Sequence, residues 1–284
     1  MRTSALTARR RRALVKDSRV VRPSSLFEPS WVQHLVVRIP ALHKMGAVHG
    51  VHLKYAFMST LCLGGAYRQY AVDASIIEWT IFALLMYSSA LHALITSLFV
   101  LRRGEWILGK DCNTGVVPRW SLILFFAFHL PTYLYTWVHT EHSKRNGVPV
   151  ASEVAPGWWI GGRFSHELGK TWAAVIDLTV EFPESCRDVT DEYMLVACWD
   201  GVPPAPLDIE RAARFAASAA VRGDVLVHCA HGRGRSTCVM VACLVRAGLF
   251  PTWRDAFEAC AKRRKGIKLN QKMRNALDAW EKGR

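Results

Sequence analysis

Residues 225–248 constrain this chain more tightly than any other segment. Val225-Leu226-Val227 is a short apolar, β-rich run, the composition of a buried strand. It leads into His228-Cys229-Ala230-His231-Gly232-Arg233-Gly234-Arg235-Ser236, which contains two glycines. From Ser236 to Gly248 there is no proline, Val239, Met240, Cys243 and Leu244 fall at helical spacing, and the segment ends on glycine. A strand passing through a glycine-rich loop into a helix predicts a parallel α/β unit. The helix N-terminus then makes the loop an anion site, because successive backbone N–H groups converge on one point.

A cysteine at the start of such a loop has unusual chemistry. Cys229 sits beside the positive end of the helix and near Arg235, and both favour its thiolate, which moves a thiol pKa from about 8.5 into the range of roughly 3.5–7.5. The planar fork of Arg235 suits two oxygens of a phosphate. A thiolate facing a cradled phosphate is a nucleophile for phosphoryl transfer, and it needs a partner to protonate the leaving oxygen. Asp200, in Cys198-Trp199-Asp200-Gly201-Val202-Pro203-Pro204, follows the apolar run 193–197 and precedes a helix beginning near Leu207. It is placed better than Asp188 or Asp191, which come before that run, and than Asp208, a first-turn helix acid.

The string 228–236 resembles the HCx5R[ST] signature of the protein-tyrosine phosphatase superfamily, in particular its dual-specificity branch. Residues 153–164, EVAPGWWIGGRF, resemble the opening strand and turn of that branch, and the tail from Lys262 to Trp280 resembles its ending. The resemblance covers about half of the chain. It implies a cysteinyl-phosphate mechanism with catalytic residues Cys229, Asp200, Arg235 and Ser236, where Ser236 stabilises the departing sulfur and also suits a helix N-cap. It further implies phosphate binding by Ala230, His231, Gly232, Arg233, Gly234 and Arg235, with His228 ordering the loop from behind. Arg233 is expected to add a cation at the pocket rim. The implied substrates are tyrosine or serine/threonine phosphoproteins or, alternatively, phospholipid headgroups. A non-catalytic phosphate-binding scaffold is the third reading, and retention of all three chemical residues argues against it.

The fold class expected is α/β. The run 173–180 reads as a buried strand, 207–221 as an alanine-rich amphipathic helix, and 253–262 and 270–280 as two more helices. Strands alternating with helices predict a central, mainly parallel sheet flanked by helices, the cysteine-phosphatase fold, over residues 150–284. This fold is expected to be preceded by an N-terminal helical transmembrane region.

That other half differs in kind. Ile76–Leu101 and Trp120–Val138 are apolar almost throughout, each close to the roughly 20 residues that cross a hydrocarbon core. Tryptophan and tyrosine lie near their ends. Tyr55–Tyr67 is a shorter apolar run bracketed by Lys54 and Arg68. The expectation is a membrane region over 51–149 with spans near 76–101 and 120–138, preceded by a basic arm or targeting segment over 1–50. Of the formal charge of +14, residues 1–149 contribute 18 Lys+Arg against 7 Asp+Glu. Most of these cations precede the first span, so two spans would return the catalytic domain to the cytosolic side, where a thiolate stays reduced. Residues 1–27, arginine-rich with Asp17 as the one acid, also resemble an organelle transit peptide, so a mitochondrial or plastid membrane is the alternative.

The partners expected are the phosphorylated substrate and a lipid bilayer, with no nucleic acid. Eight cysteines without a C-x2-C pair indicate neither a zinc site nor a disulfide framework. Cys186 and Cys198 are candidates to resolve an oxidised Cys229. The cluster His139-Thr140-Glu141-His142 lacks the H-E-x-x-H spacing of a zinc helix and is read as a polar segment leaving the membrane. No metal or cofactor is required by this chemistry.

Overall fold

The computed structural model describes residues 51–70 and 75–284, so the basic arm expected over 1–50 lies outside the described residues. The first described elements are α1 (Val51–Gln69) and α2 (Ile76–Leu101). α2 begins with a capping box. The Glu78 N–H donates to Ser75 Oγ at 3.4 Å, and the Ser75 N–H donates to Glu78 Oε2 at 2.7 Å. Glu78 is therefore the start signal of the helix and not a charge stranded in an apolar run. At about 1.5 Å per residue, its 26 residues exceed a hydrocarbon core about 30 Å thick. Among the described residues it is the one helix long and apolar enough to cross a membrane. α1 packs antiparallel against it. The hydroxyls of Ser59 and Ser89 each donate to the other residue's carbonyl at 2.9 Å, and small residues at such a crossing let two backbones approach closely.

The second expected span, 120–138, is not one continuous helix. The chain instead makes α3 (Arg119–Leu124) and α4 (Phe126–Arg145), broken at Phe125, whose φ of −110° and ψ of 27° leave the helical region. The physical reason lies in the polar residues inside the run. His129 and Thr136 are buried against protein together with Phe128 and Ser143, and the helix continues past Val138 into His139, Glu141, Lys144 and Arg145. α4 is a docking helix on the α/β half: Tyr133 packs edge-on against Phe182 at 5.0 Å between ring centroids. The described residues fall within one compact unit. Its surface is uneven. All of the exposed large apolar side chains among the described residues lie between positions 53 and 137, except Val189, Leu207, Val221 and Leu249.

The α/β half follows as β1 (Ala151–Ala155), β2 (Trp158–Gly161), β3 (Trp172–Thr179), β4 (Thr190–Cys198), α5 (Pro206–Ala219), β5 (Val225–His228), α6 (Arg235–Arg246), α7 (Trp253–Arg263) and α8 (Gln271–Lys282). The strand order is β1-β2-β5-β3-β4. Only β1 pairs antiparallel, with β2, and the remaining pairs are parallel. The central strands β3 and β5 are buried along their whole length, as strands covered on both faces must be. α5 to α8 cover one face, where Ile160, Ile176 and Val227 meet Ile209, Val241, Leu244 and Leu277. Trp172, Val175 and Leu226 form the core of the other.

Register then places the chemistry. Gly161 and Asp177 both stand beside His228, and Thr179 stands beside Cys198. The carboxyl ends of β2, β3, β4 and β5 therefore lie along one edge of the sheet, and the loops leaving them meet there, where open α/β sheets bind ligands.

Candidate active site

The loop between β5 and α6 is held open as a cup by its carbonyls. The Ala230 carbonyl accepts from the Arg163 N–H at 3.2 Å, and that of Arg233 from the Lys268 N–H at 2.9 Å. Between them, the His231 and Gly232 carbonyls accept from Nη2 and Nε of Arg264, at 3.3 and 2.8 Å. In a trans peptide the N–H points opposite to the C=O. Carbonyls drawn outward thus turn the N–H groups of His231, Gly232, Arg233 and Gly234 toward the loop's interior. Gly232 has φ +66°, and a Cβ there would stand 2.5 Å from the Gly161 carbonyl carbon, so glycine is required on both counts.

Cys229 stands at the foot of this cup, with its Sγ 3.4 Å from Ser236 Oγ at the start of α6. Burial opposes ionisation of the thiol, but the Arg235 guanidinium and the hydrogen bonds from Ser236 outweigh it, and the pKa lies below the ordinary thiol value. Burial pushes the Cys238 and Cys260 thiols the other way, up to about 12. The two thiols proposed from sequence as resolving partners follow them. Cys198, donating to the Leu178 carbonyl at 3.4 Å, and Cys186, in the core on the opposite face of the sheet, are both raised, chiefly by burial.

Arg235 is fully buried, and its fork is already engaged. Nη2 donates to Glu181 Oε1 at 2.6 Å, and Nη1 donates to Glu181 Oε2 at 3.2 Å, to the Cys198 carbonyl at 2.7 Å and to the Leu178 carbonyl at 2.9 Å. The expectation that both arms of the fork face a phosphate is corrected accordingly, because Glu181 holds them. Nε is buried without a partner and is the donor left for an anion. Asp200 Oδ1 lies 3.4 Å from Nη2. Burial raises the Asp200 pKa, Arg235 lowers it and Glu181 raises it, with a net rise that favours the protonated acid. Its competitors stand elsewhere: Asp188 and Asp191 are exposed, and Asp208 pairs with Arg211 at 3.1 Å on α5.

Behind the loop, His228 Nε2 lies 2.5 Å from Glu184 Oε2 and 3.8 Å from Asp177 Oδ1. Burial disfavours the imidazolium, yet the two carboxylates overcome it and raise the pKa to about 9. Lys110 reaches into the same cluster from the segment after α2, donating to Asp177, to the Thr179 carbonyl at 2.9 Å and to Thr179 Oγ1 at 3.0 Å. Asp177, Glu184 and His228 are close enough to hold a cation, but Lys110 and the imidazolium already supply two positive charges to their two carboxylates. The set does not fit a metal.

The Arg233 side chain is placed differently from the sequence expectation. Arg233 does not stand free at the pocket rim. Its Nη1 lies 3.2 Å from His139 Nε2 and its Nη2 donates to Ser143 Oγ at 3.0 Å, both on α4. The His231 ring lies against that of His139, tilted by 52° at 4.3 Å between centroids, and meets Tyr135 edge-on at 5.7 Å. The segment read as merely polar thus touches the phosphate loop. Sequence reasoning also missed Glu181, Glu184, Lys110 and Arg264. Glu181 and Glu184 had a usable signal, since they lie just past the carboxyl end of a predicted strand, whereas Arg264 sits in an ordinary basic stretch and Lys110 in a segment with no motif of its own.

With this geometry in place, residues 172–283 match the family model described as dual specificity phosphatase, catalytic domain, a segment that includes Asp200, Cys229, Arg235 and Ser236. The match lies wholly within the α/β half, which is thus similar to the catalytic domains of the dual-specificity phosphatases. Among solved structures the chain is similar to a mouse protein named as a dual specificity phosphatase and complexed with zinc tungstate, at 25% identity, over 48% of this chain and 88% of that one, with a TM-score of 0.41. It is similar also to human DUSP28, at 21% identity, over 48% of this chain and 95% of that one, with a TM-score of 0.39. PTPMT1 in complex with PI(5)P is similar at 19% identity, over 47% of this chain and 96% of that one, with a TM-score of 0.40. No curated protein matches the chain.

Proposed function

We propose that this protein is a membrane-tethered, cysteine-dependent phosphomonoester hydrolase. The observation that carries the reading is the joint placement of a thiol with a lowered pKa, a carboxyl with a raised one and an inward-facing amide cup at one sheet edge. In the first step the Cys229 thiolate attacks phosphorus in line, forming an S–P bond as the P–O bond to the leaving group breaks. Asp200 donates its proton to the leaving oxygen. The cup and Arg235 Nε hold the equatorial oxygens as charge builds on them. In the second step Asp200, now a carboxylate, takes a proton from water, which attacks phosphorus and expels the Cys229 thiolate, steadied by Ser236. Cys229→Ser is expected to abolish phosphate release from an aryl phosphate while retaining binding of a phosphate analogue. Unchanged turnover in that variant would end the proposal.

The tether is proposed to be the α1–α2 hairpin. It concentrates exposed apolar side chains, among them Phe57, Leu61, Ile76, Ile77, Leu84 and Val100. A hairpin brings both of its ends to the side of the catalytic domain, so the cytosolic placement expected from the basic arm needs no second span. Release of the full chain from membranes by alkaline carbonate, without detergent, would overturn it. Phosphoproteins are the substrates that the resemblance implies. Phospholipid headgroups are the second reading, favoured because the apolar hairpin would hold the site against a bilayer. Phosphate release from a panel of phosphopeptides and of phospholipid vesicles separates the two.

A further inference from the structure

We propose that α4 is a positioning element of the catalytic centre, with His139 and Ser143 fixing the phosphate loop through Arg233 and His231. The inference rests on the phosphatase reading above but concerns a segment outside the matched catalytic domain.

The loop between Cys229 and Arg235 is short, and its anion-binding shape depends on where each peptide points. Arg264, Arg163 and Lys268 secure its carbonyls from the β2, α7 and α8 side. Its two long side chains, His231 and Arg233, project toward α4. There Arg233 is held at two points one turn apart on the helix, His139 Nε2 and Ser143 Oγ. A guanidinium held twice fixes orientation as well as distance. His231 is buried beside it, with its ring on His139. Burial, together with the neighbouring His139, Arg233 and Lys54, keeps its pKa well below the ordinary value, so it packs as a neutral ring. The contacts continue outward. Tyr135, one helical turn before His139, carries the Lys54 ammonium of α1 over its ring at 4.2 Å and accepts from it at 3.1 Å through its hydroxyl. Side chains therefore connect the hairpin to the loop that holds the phosphate.

The Arg233 contact has a chemical requirement. Arg233 can only donate, so His139 must present an unprotonated Nε2 to it. Glutamine at 139 supplies a side-chain carbonyl that can accept in the same direction, whereas alanine supplies none.

The test uses the full-length protein in detergent with His139→Ala, His139→Gln and Ser143→Ala, and Leu134→Ala as a control on the exposed side of α4. Three quantities are read: kcat and KM for an aryl phosphate, and the pH midpoint of Cys229 alkylation by iodoacetamide. His139→Ala is expected to lower kcat by about three- to tenfold, the loss of a hydrogen bond or two, and to move the alkylation midpoint upward. Ser143→Ala should act in the same direction, His139→Gln should restore most of both, and Leu134→Ala should change neither. Equal behaviour of the alanine and glutamine variants would overturn the proposal. So would losses that follow the melting temperature with the alkylation midpoint unmoved. The alkylation readout does not require turnover. If the wild type released no phosphate, the phosphatase reading would fall while the midpoints still judged the role of α4.

Discussion

Glu181 Oε1 stands 2.6 Å from Nη2 of Arg235, and neither side chain has meaningful access to water. The pair fixes which part of the guanidinium faces the cup, because the terminal nitrogens are spent on Glu181 and on two backbone carbonyls. It also puts a negative charge near Asp200, which helps to keep that carboxyl protonated.

Two effects of replacing Glu181 follow. Glu181→Ala leaves a buried cation without its partner, a change that costs about 3–5 kcal/mol, read by chemical denaturation. Glu181→Gln keeps an acceptor and should cost less. In both, the Asp200 pKa falls because a charge that raised it is gone. The alkaline limb of the activity profile should therefore move to lower pH. A limb that stayed in place would mean that Glu181 does not act on the acid.

The wild-type profile of kcat/KM against pH should be bell-shaped. The acid limb rises as Cys229, with its lowered pKa, loses its proton. The alkaline limb falls as Asp200, with its raised pKa, loses the proton it must donate. Asp200→Asn should remove the alkaline limb and slow alkyl phosphates by about 10²- to 10⁴-fold. Esters of acidic phenols should lose less, because their leaving groups depart unprotonated. Equal losses for both ester classes would assign the proton to another group.

The parts of this site that were legible in sequence are those coded by local pattern. Val225-Leu226-Val227 before a glycine pair announces the strand and loop, and the spacing of Val239, Met240, Cys243 and Leu244 announces α6. Asp200 was readable because it leaves a strand at the same sheet edge. The partners that came from far along the chain were not readable. Lys110 meets Asp177 across 67 positions and Arg264 meets Ser152 across 112, and no local periodicity encodes such pairings. The run 120–138 is hard to read for a related reason. Composition alone does not distinguish a helix apolar because it faces lipid from one apolar because it docks on a sheet. What separates them is where His129 and Thr136 find polar company, and that is a property of the folded chain.

Trp199 precedes the acid and is fully buried among Phe99, Phe128, Val180 and Val202. Its indole N–H donates to the Arg103 carbonyl at 2.9 Å, just past the end of α2, and its ring lies 4.7 Å from that of Phe99. The acid loop is thereby fastened to the apolar helix. Trp199→Ala removes a large buried ring and should cost about 3–5 kcal/mol. Trp199→Phe keeps most of the apolar contact and loses the N–H. If the ring packing positions Asp200, the phenylalanine variant should retain most of its kcat and its alkaline limb. If the N–H to Arg103 is what matters, both variants should lose kcat to a similar extent, and that result would reject positioning by packing.

The cluster behind the loop predicts a pH-dependent stability with a definite sign. Glu184 and Asp177 raise the His228 pKa from its ordinary 6.5 to about 9 in the folded protein, so the folded state binds the extra proton. Its contribution is complete below 6.5 and is lost as pH rises through about 9, by an amount on the order of 3 kcal/mol. Cys229 works oppositely, since a lowered thiol pKa stabilises the fold as pH rises, so the wild-type curve alone mixes the two. Glu184→Gln isolates the histidine. It removes the larger of the two carboxylate attractions, brings the folded His228 pKa back toward its unfolded value and leaves Cys229 in place. Denaturation midpoints measured at pH 6.5 and 9.5 should therefore fall less steeply with pH in Glu184→Gln than in the wild type. Parallel curves for the two proteins would mean that His228 is neutral in the folded protein and that the charge behind the phosphate loop is carried by Lys110 alone.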